Sequence, residues 1–401
     1  MKLYLMIFLY IIINIFIILS VIKFIEKYGK TLNMGIRVLA LLLYLLCAST
    51  IIIGYFMPLS NIQKIIQGFA NYFIGIIIYI AMAMMLFCII ILVLKISKKR
   101  NKKIERNIGL ALLIFSFIFS IYGFIHAKEI VITNYEIKVS KSIDKDIKIA
   151  LISDTHLGYS VGYKMIEKMV NIINKQNVDL VLIAGDIFDN SVETVDDIDK
   201  VKLALSNIKS NYGVYAVFGN HDVEERLFGG FSIQSADKNF ITDEMLQMLY
   251  DSNINILDDK SILIDNQIYI IGRKDKEKAG DGSANRKKIS ELLEGLDKEK
   301  LIILLEHEPK DLYDTSNYDI DLHLSGHTHA GQFFPLTIGC KLMSENFYGI
   351  KKFNNMISLV SSGIGVYGPN MRVGSNSEVC ILNISSNTNP LDKENYIWRK
   401  K

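Results

Sequence analysis

Apolar residues in this 401-residue chain are concentrated at its start. Stretches at about 3–22, 38–57, 70–94 and 108–126 each approach the roughly 20 residues that carry a helix across a bilayer. A chain with four such runs must first satisfy a membrane, so residues 1–126 are expected to form a transmembrane region. No Asp, Glu, Lys or Arg lies deep inside the runs, and Asn14 is a polar interior residue. Ionisable groups at membrane depth mark transport and proton-relay paths, so anchoring is expected in preference to transport. The first run is followed by Lys23-Phe24-Ile25-Glu26-Lys27 in place of a small-residue cleavage site, and it reads as a permanent helix.

Charge divides the chain at the same place. Residues 1–126 hold 13 Lys and Arg against two acidic residues; the rest hold 32 against 40. A basic membrane part is thus joined to an acidic part, and an acidic domain has no field to gather nucleic acid. Lys23, Lys27, Lys30 and Arg37 follow the first run, only Lys64 follows the second, and seven basic residues from Lys95 to Arg106 follow the third. Basic loops stay in the cytoplasm, which predicts an outer N-terminus and an extracytoplasmic C-terminal domain. Cys47, Cys88, Cys340 and Cys380 are too few for a disulfide framework and read as free thiols.

From residue 147 the pattern shortens. Apolar runs at 147–152, 180–184, 214–218, 301–305 and 321–324 read as buried strands. Helical spacing is expected over 161–175, 195–208, 242–250 and 286–296, and a hairpin over 262–271. Two late strands, 356–361 and 378–384, suggest a second sheet, and 223–237 and 272–285 read as loops over the rim of a site. Strand–helix alternation predicts an α/β fold with parallel pairing.

Each of the five strands ends in a polar signature. These are Asp154-Thr155-His156, Gly185-Asp186, Gly219-Asn220-His221-Asp222, His307 and Gly326-His327-Thr328-His329. In open α/β sheets ligands bind beyond the carboxyl ends of the strands, so five loops can converge there. Five of the seven histidines fall in the signatures; only His126 and His323 do not, and structural roles are expected for those two. Imidazole with carboxylate suits Zn, Mn or Fe. A centre of two cations needs one carboxylate between them and terminal ligands for each. Asp186 is the bridging candidate, Asp154 and His156 leave one loop together, and Asn220 offers a neutral amide oxygen.

The ordered set resembles the calcineurin-like metallophosphoesterase family, whose pattern D-x-H, G-D-x-x-D, G-N-H-D/E, a lone H and G-H-x-H is all here, over residues 147–385. The resemblance implies a four-layer α/β/β/α sandwich. It implies that one metal takes Asp154, His156, Asp186 and His329, and the other Asp186, Asn220, His307 and His327. It further implies that Asn220 and His221 bind phosphate, that His221 protonates the leaving oxygen with Asp222 orienting it, and that a metal-activated hydroxide attacks phosphorus. The finer resemblance is to a membrane-anchored bacterial branch, through Asn134-Tyr135-Glu136-Ile137, Ser362-Gly363-Ile364-Gly365 and Gly368-Pro369-Asn370-Met371-Arg372. The tail departs from that branch at Ser375-Asn376-Ser377-Glu378, where a proline commonly precedes the glutamate.

The expected organisation is therefore a four-helix transmembrane region over 1–126, a linker and lead-in strand over 127–146, and a phosphoesterase domain over 147–401. The expected protein is a multi-pass membrane phosphohydrolase with two divalent ions (Mn, Zn or Fe). Its expected partners are the bilayer and a phosphorylated or lipid-linked substrate at the cell envelope. Arg372 is the candidate to grip that substrate; Arg273 and Arg286 are expected in ion pairs, and Asp189 in a loop contact. The alternatives are a phosphodiesterase or nucleotidase on soluble extracellular substrates, and a non-catalytic envelope sensor.

Overall fold

Long apolar runs and short ones give two kinds of architecture in the computed structural model. It describes residues 2–28, 33–189, 191–233, 240–280, 285–386 and 396–399. The chain divides into two compact units, a helical one and an α/β one.

The helical unit contains α1 (Lys2–Tyr28), α2 (Met34–Phe56), α3 (Asn61–Ile96) and α4 (Lys102–His126). All four are long and apolar enough to cross a membrane. Pro58 cannot continue α2, and the Ser60 hydroxyl caps α3 by accepting from the Gln63 amide at 3.2 Å. α3 starts nine residues before its apolar run because its first turns turn polar groups inward. Gln63, Gln67 and Asn71, four residues apart, are buried. Gln63 Nε2 donates to the Gly54 carbonyl at 2.9 Å, and Gln67 Nε2 to Asn71 Oδ1 at 3.2 Å. At the other end, buried Glu105 accepts two bonds from Arg100, at 2.7 and 2.8 Å, one from Lys27 at 3.1 Å, and one from the Tyr28 hydroxyl. That cluster ties the last turn of α1 to the first of α4.

The α/β unit begins with β1 (Ile130–Val139), β2 (Ile147–Ile152), α5 (Tyr163–Asn174), β3 (Leu180–Ala184), α6 (Ile198–Ser206) and β4 (Val214–Val217). The strands β5 (Arg226–Phe228) and β6 (Phe231–Ile233) come next in sequence but belong to the helical unit, as does the later segment Tyr367–Met371. The rim loop expected over 223–237 instead contains these two strands, and its residues 234–237 lie outside the described residues. In the structure Phe228 and Ile233 are buried with Tyr10, Ile51 and Phe73 in the helical core. Tyr367 accepts a bond from the Ser232 amide at 2.9 Å, and the Asn370 amide donates to the Asn71 carbonyl at 3.2 Å.

The α/β unit resumes with α7 (Asp243–Asp251), β7 (Ile254–Ile256), β8 (Lys260–Ile264), β9 (Ile268–Gly272), α8 (Ile289–Leu292), β10 (Leu301–Leu305), α9 (Leu312–Thr315) and β11 (Leu322–Ser325). It closes with α10 (Leu336–Met343), β12 (Gly349–Phe353), β13 (Met356–Val360), β14 (Ser377–Ser386) and β15 (Tyr396–Arg399). One sheet has the order β15-β1-β14-β2-β3-β4-β7, the other β12-β13-β11-β10-β9-β8. β2, β3, β4 and β7 run parallel, as do β9, β10, β11 and β13. The expected hairpin is β8–β9, turning at Asp265 and Asn266, both with positive φ.

Apolar side chains on both faces of the strands explain the layering. Leu151, Leu182 and Val217 from the first sheet meet Ile303, Leu324 and Leu359 from the second. The outer face of the first sheet packs Ile152 and Ile183 against Ile166, Met169 and Leu249 of its helices. The outer face of the second packs Ile302 and Leu304 against Leu292 and Leu312. This is an α/β/β/α sandwich. One strand falls elsewhere than expected: β14 lies in the first sheet, between β1 and β2, with Cys380 opposite Leu151 and Ile384 opposite Ile147. The helix expected over 286–296 shortens to the single turn of α8.

Leu182 fills the space between the sheets, whereas Leu203 on α6 is 64% exposed. Leu182→Ala is expected to cost about 2–5 kcal/mol, and Leu203→Ala less than about 0.5 kcal/mol. Unfolding of the full chain in detergent, followed by circular dichroism, measures the contrast.

Candidate metal centre

Backbone bonds between loops fix the site before any side chain does. β2, β3 and β4 deliver residues 153–156, 185–186 and 219–222 to one edge of their sheet, and β10 and β11 deliver His307 and residues 326–329. The Asp154 amide donates to the Gly185 carbonyl at 2.9 Å and the His156 amide to the Asp186 carbonyl at 3.0 Å. The Gly326 amide donates to the His307 carbonyl at 3.0 Å. The His327 amide reaches across the two sheets to the Asp154 carboxylate, at 3.0 and 3.1 Å.

The loops approach so closely that three signature glycines have no room for a side chain. A Cβ on Gly219 would collide with Oδ1 of Asp186, and one on Gly326 with Oδ2 of Asp154. At Gly185 it would lie 2.7 Å from Nδ1 of His307, and φ there is +76°. Asp154, His156, Asp186, His327 and His329 all hold positive φ, between 45° and 72°. Non-glycine residues rarely adopt that region, and such strain persists where surrounding bonds over-determine it. It falls here on five of the seven predicted ligands.

Two groups of potential ligands result: Asp154, His156 and His329, and Asp186, His307 and His327. His156 Nε2 and His329 Nε2 are 3.1 Å apart, and His329 Nε2 is 3.4 Å from Asp154 Oδ1. In the second group His307 Nε2 lies 3.1 Å from Asp186 Oδ2, 3.1 Å from Asn220 Oδ1 and 3.1 Å from His327 Nδ1. Asp186 Oδ2 is also 3.7 Å from His156 Nε2, so one carboxylate oxygen faces both groups. Its other oxygen accepts from the His221 amide at 2.8 Å. Ligands about 2.1 Å from one cation stand about 3.0–3.4 Å apart, which is the spacing within each group. The donor set of imidazole, carboxylate and amide fits two divalent cations.

The surrounding bonds fix which ring nitrogen faces inward. His307 Nδ1 lies 2.8 Å from the Ala184 carbonyl and, as a donor to it, leaves Nε2 for a cation. His156 Nδ1 is 3.8 Å from buried Asp189. Burial, then His156 and Arg372, lower the basicity of His329 well below that of ordinary histidine, leaving its ring neutral. Burial raises the Asp186 carboxyl, but His307, whose basicity Asp186 in turn raises, outweighs it as the imidazolium and holds the group ionised; a bound cation would take the place of that His307 proton. Metal binding requires both states. Burial lowers His221 to about 3. Burial and the nearby Asp186 raise Asp222 to about 7.

The remaining sequence candidates take definite places. The rings of His221 and His156 are 5.5 Å apart. Asp222 accepts from the Phe188 amide at 2.8 Å and the Gly219 amide at 2.7 Å, clasping two ligand loops. Arg372, expected to grip the substrate, instead has its guanidinium fully buried behind His329. It donates to the carbonyls of Ser362 at 2.6 Å and Gly365 at 2.7 Å and stands 3.3 Å from His329 Nδ1. Arg273 and Arg286 pair with buried Glu306, at 3.5 and 3.0 Å, and Glu306 also holds His323 at 3.0 Å. Sequence reasoning passed over Glu308, a buried carboxylate 3.8 Å from His327 Nε2. Burial and Asp275 raise it to about 7. Its one sequence signal was its position directly after His307.

Comparison with known proteins agrees with this geometry. The family model for calcineurin-like phosphoesterases matches residues 147–331. An uncharacterized metallophosphoesterase of Campylobacter jejuni is 31% identical over 304 residues, covering 73% of this chain and 75% of that protein. One from Helicobacter pylori is 32% identical over 60% of each chain. A transmembrane protein with metallophosphoesterase domain from Danio rerio is 30% identical over 67% of this chain and 60% of its own. The chain thus spans only about 60% of the length of the latter two. The family match takes in all five strand ends that carry the ligand groups, and the Campylobacter likeness extends well beyond it, so this chain belongs to the calcineurin-like metallophosphoesterase family.

Proposed function

We propose that this protein is a two-metal phosphohydrolase of the membrane surface, acting on a phosphate ester or diphosphate bond of a lipid-linked or cell-envelope substrate. The observation that carries the chemistry is Asp186 Oδ2, which faces an imidazole of each ligand group at 3.1 and 3.7 Å. In this reading Asp154, His156, Asp186 and His329 hold one cation, and Asp186, Asn220, His307 and His327 the other. Bound cations of the Mn, Zn or Fe type supply an activated water and offset charge on the phosphoryl oxygens.

The protein's own groups do the rest. Asn220 contributes no charge to a site that receives an anion. His221 is neutral in the free site, so one ring nitrogen carries a proton to donate to a phosphate oxygen. An anionic substrate raises the basicity of His221, so the ring takes up a proton from solvent as the substrate binds and, as the imidazolium, gives that proton to the leaving oxygen and returns to neutral imidazole. Asp222 holds the His221 loop against the Asp186 loop through Phe188 and Gly219. Arg372 serves the substrate indirectly, by fixing the ring of His329.

Support for a membrane address comes from the helices and from the path of the chain. Only residues 223–225 separate Asp222 from β5, which belongs to the helical unit. Arg372 directly follows the segment Tyr367–Met371, which belongs to it as well. Two site loops are therefore continuous in sequence with segments of the helical unit. The basic residues after α1 and α3 support an extracytoplasmic catalytic unit.

Asp186→Asn is expected to abolish metal-dependent turnover of an aryl phosphate and to lower bound metal below two ions per chain by mass spectrometry. His221→Ala is expected to keep its metal while kcat falls about 10²- to 10⁴-fold. Full turnover by the Asp186 variant would sink the mechanism. Protease added to intact cells is expected to digest the catalytic unit; digestion only after lysis would place it in the cytoplasm. A screen of lipid phosphates and diphosphates against soluble diesters and nucleotides, with the full chain in detergent, tests the substrate class.

A further inference from the structure

Within the helical unit, α1 and α2 leave a groove of about 290 Å³ between them. Its walls are aliphatic, with Val21 and Ile25 on α1 and Ile36 and Leu41 on α2. Two charged side chains, Glu26 and Arg37, line it too. They stand in the last turn of α1 and the first turns of α2, where helix ends meet headgroups. The groove therefore joins an apolar wall to a charged mouth.

Arg37 is half-buried in a stretch, residues 33–43, whose other members are exposed. Its Nε is buried and has no hydrogen-bond partner. Among the described residues no ion pair forms between Glu26 and Arg37, nor from either to another side chain. A buried donor without a partner is costly, and a phosphate diester is the acceptor a guanidinium fork fits best. Glu26, on the wall of the same groove, would repel a headgroup that is only anionic, but it accepts from a primary ammonium.

We propose that this groove binds one zwitterionic aminophospholipid. Its acyl chain lies along the aliphatic wall, its phosphate is on Arg37 and its ammonium on Glu26. The mouth is at the helix end where Lys27, Arg100 and Glu105 gather. That is the opposite end of α4 from His126, after which the chain leaves for the α/β unit. The bound lipid is thus a resident of the anchor, separate from the hydrolysed substrate, and it cements α1 to α2.

Native mass spectrometry of the delipidated full chain, titrated with phosphatidylethanolamine, phosphatidylglycerol or phosphatidylcholine, tests this. One phosphatidylethanolamine per chain is expected to bind at least tenfold more tightly than either other lipid. Arg37→Ala should weaken all three. Glu26→Gln should remove the preference for phosphatidylethanolamine while leaving phosphatidylglycerol bound. Ala40→Trp, which fills the groove, should abolish the tight adduct. Aryl phosphate turnover reports that each variant is folded. Equal binding of the three lipids, or an adduct indifferent to Ala40→Trp, would leave only annular lipid and overturn the proposal. A change from dimer to monomer in Ala40→Trp would assign the groove to a second copy of the chain and overturn it equally.

Discussion

Asp186 is the point on which the α/β unit turns. Its backbone carbonyl holds the His156 amide, one carboxylate oxygen holds the His221 amide, and the other faces two imidazoles. To put it there, three loops give up the space of a side chain at Gly185, Gly219 and Gly326, and five residues accept left-handed backbone. Left to themselves, imidazole lone pairs 3.1 Å apart and carboxylates buried beside one another repel. Cations held by the two groups would offset that repulsion. The two apolar sheets supply the rigidity against which the strain is held.

The ligands were legible in the sequence because each is local. A strand of four to six mostly apolar residues points its following loop to one sheet edge, and the signature in that loop is read directly. What surrounds them was not local. The place of β14 depends on pairing with β1 and β2 over more than 200 residues of separation, and its alternation suits either sheet. Arg372 looks in sequence like a loop cation near a substrate; only the fold shows it buried against the carbonyls of Ser362 and Gly365. Asp and His are residue types that tolerate positive φ, but nothing in the sequence says that the strain falls on Asp154 and His329.

The membrane part shows the same division. Its four runs were visible by length and hydropathy, but the polar start of α3 was not. Gln63 and Gln67 read as a loop before the third run until their amides are seen bonded inside the bundle. β5 and β6 are three residues each, too short for a strand pattern, and Phe228 and Ile233 earn their burial only through α1, α2 and α3. The helices are thus built around segments that continue from the site loops.

Occupation of both ligand groups at once is open to direct spectroscopy. The full chain in detergent, reconstituted with Mn²⁺, should take up two ions per chain. Its electron paramagnetic resonance spectrum should be that of an exchange-coupled pair, as expected for ions about 3.5–4 Å apart. An isolated six-line manganese signal that persists at saturation, with one ion per chain, would contradict a two-metal centre.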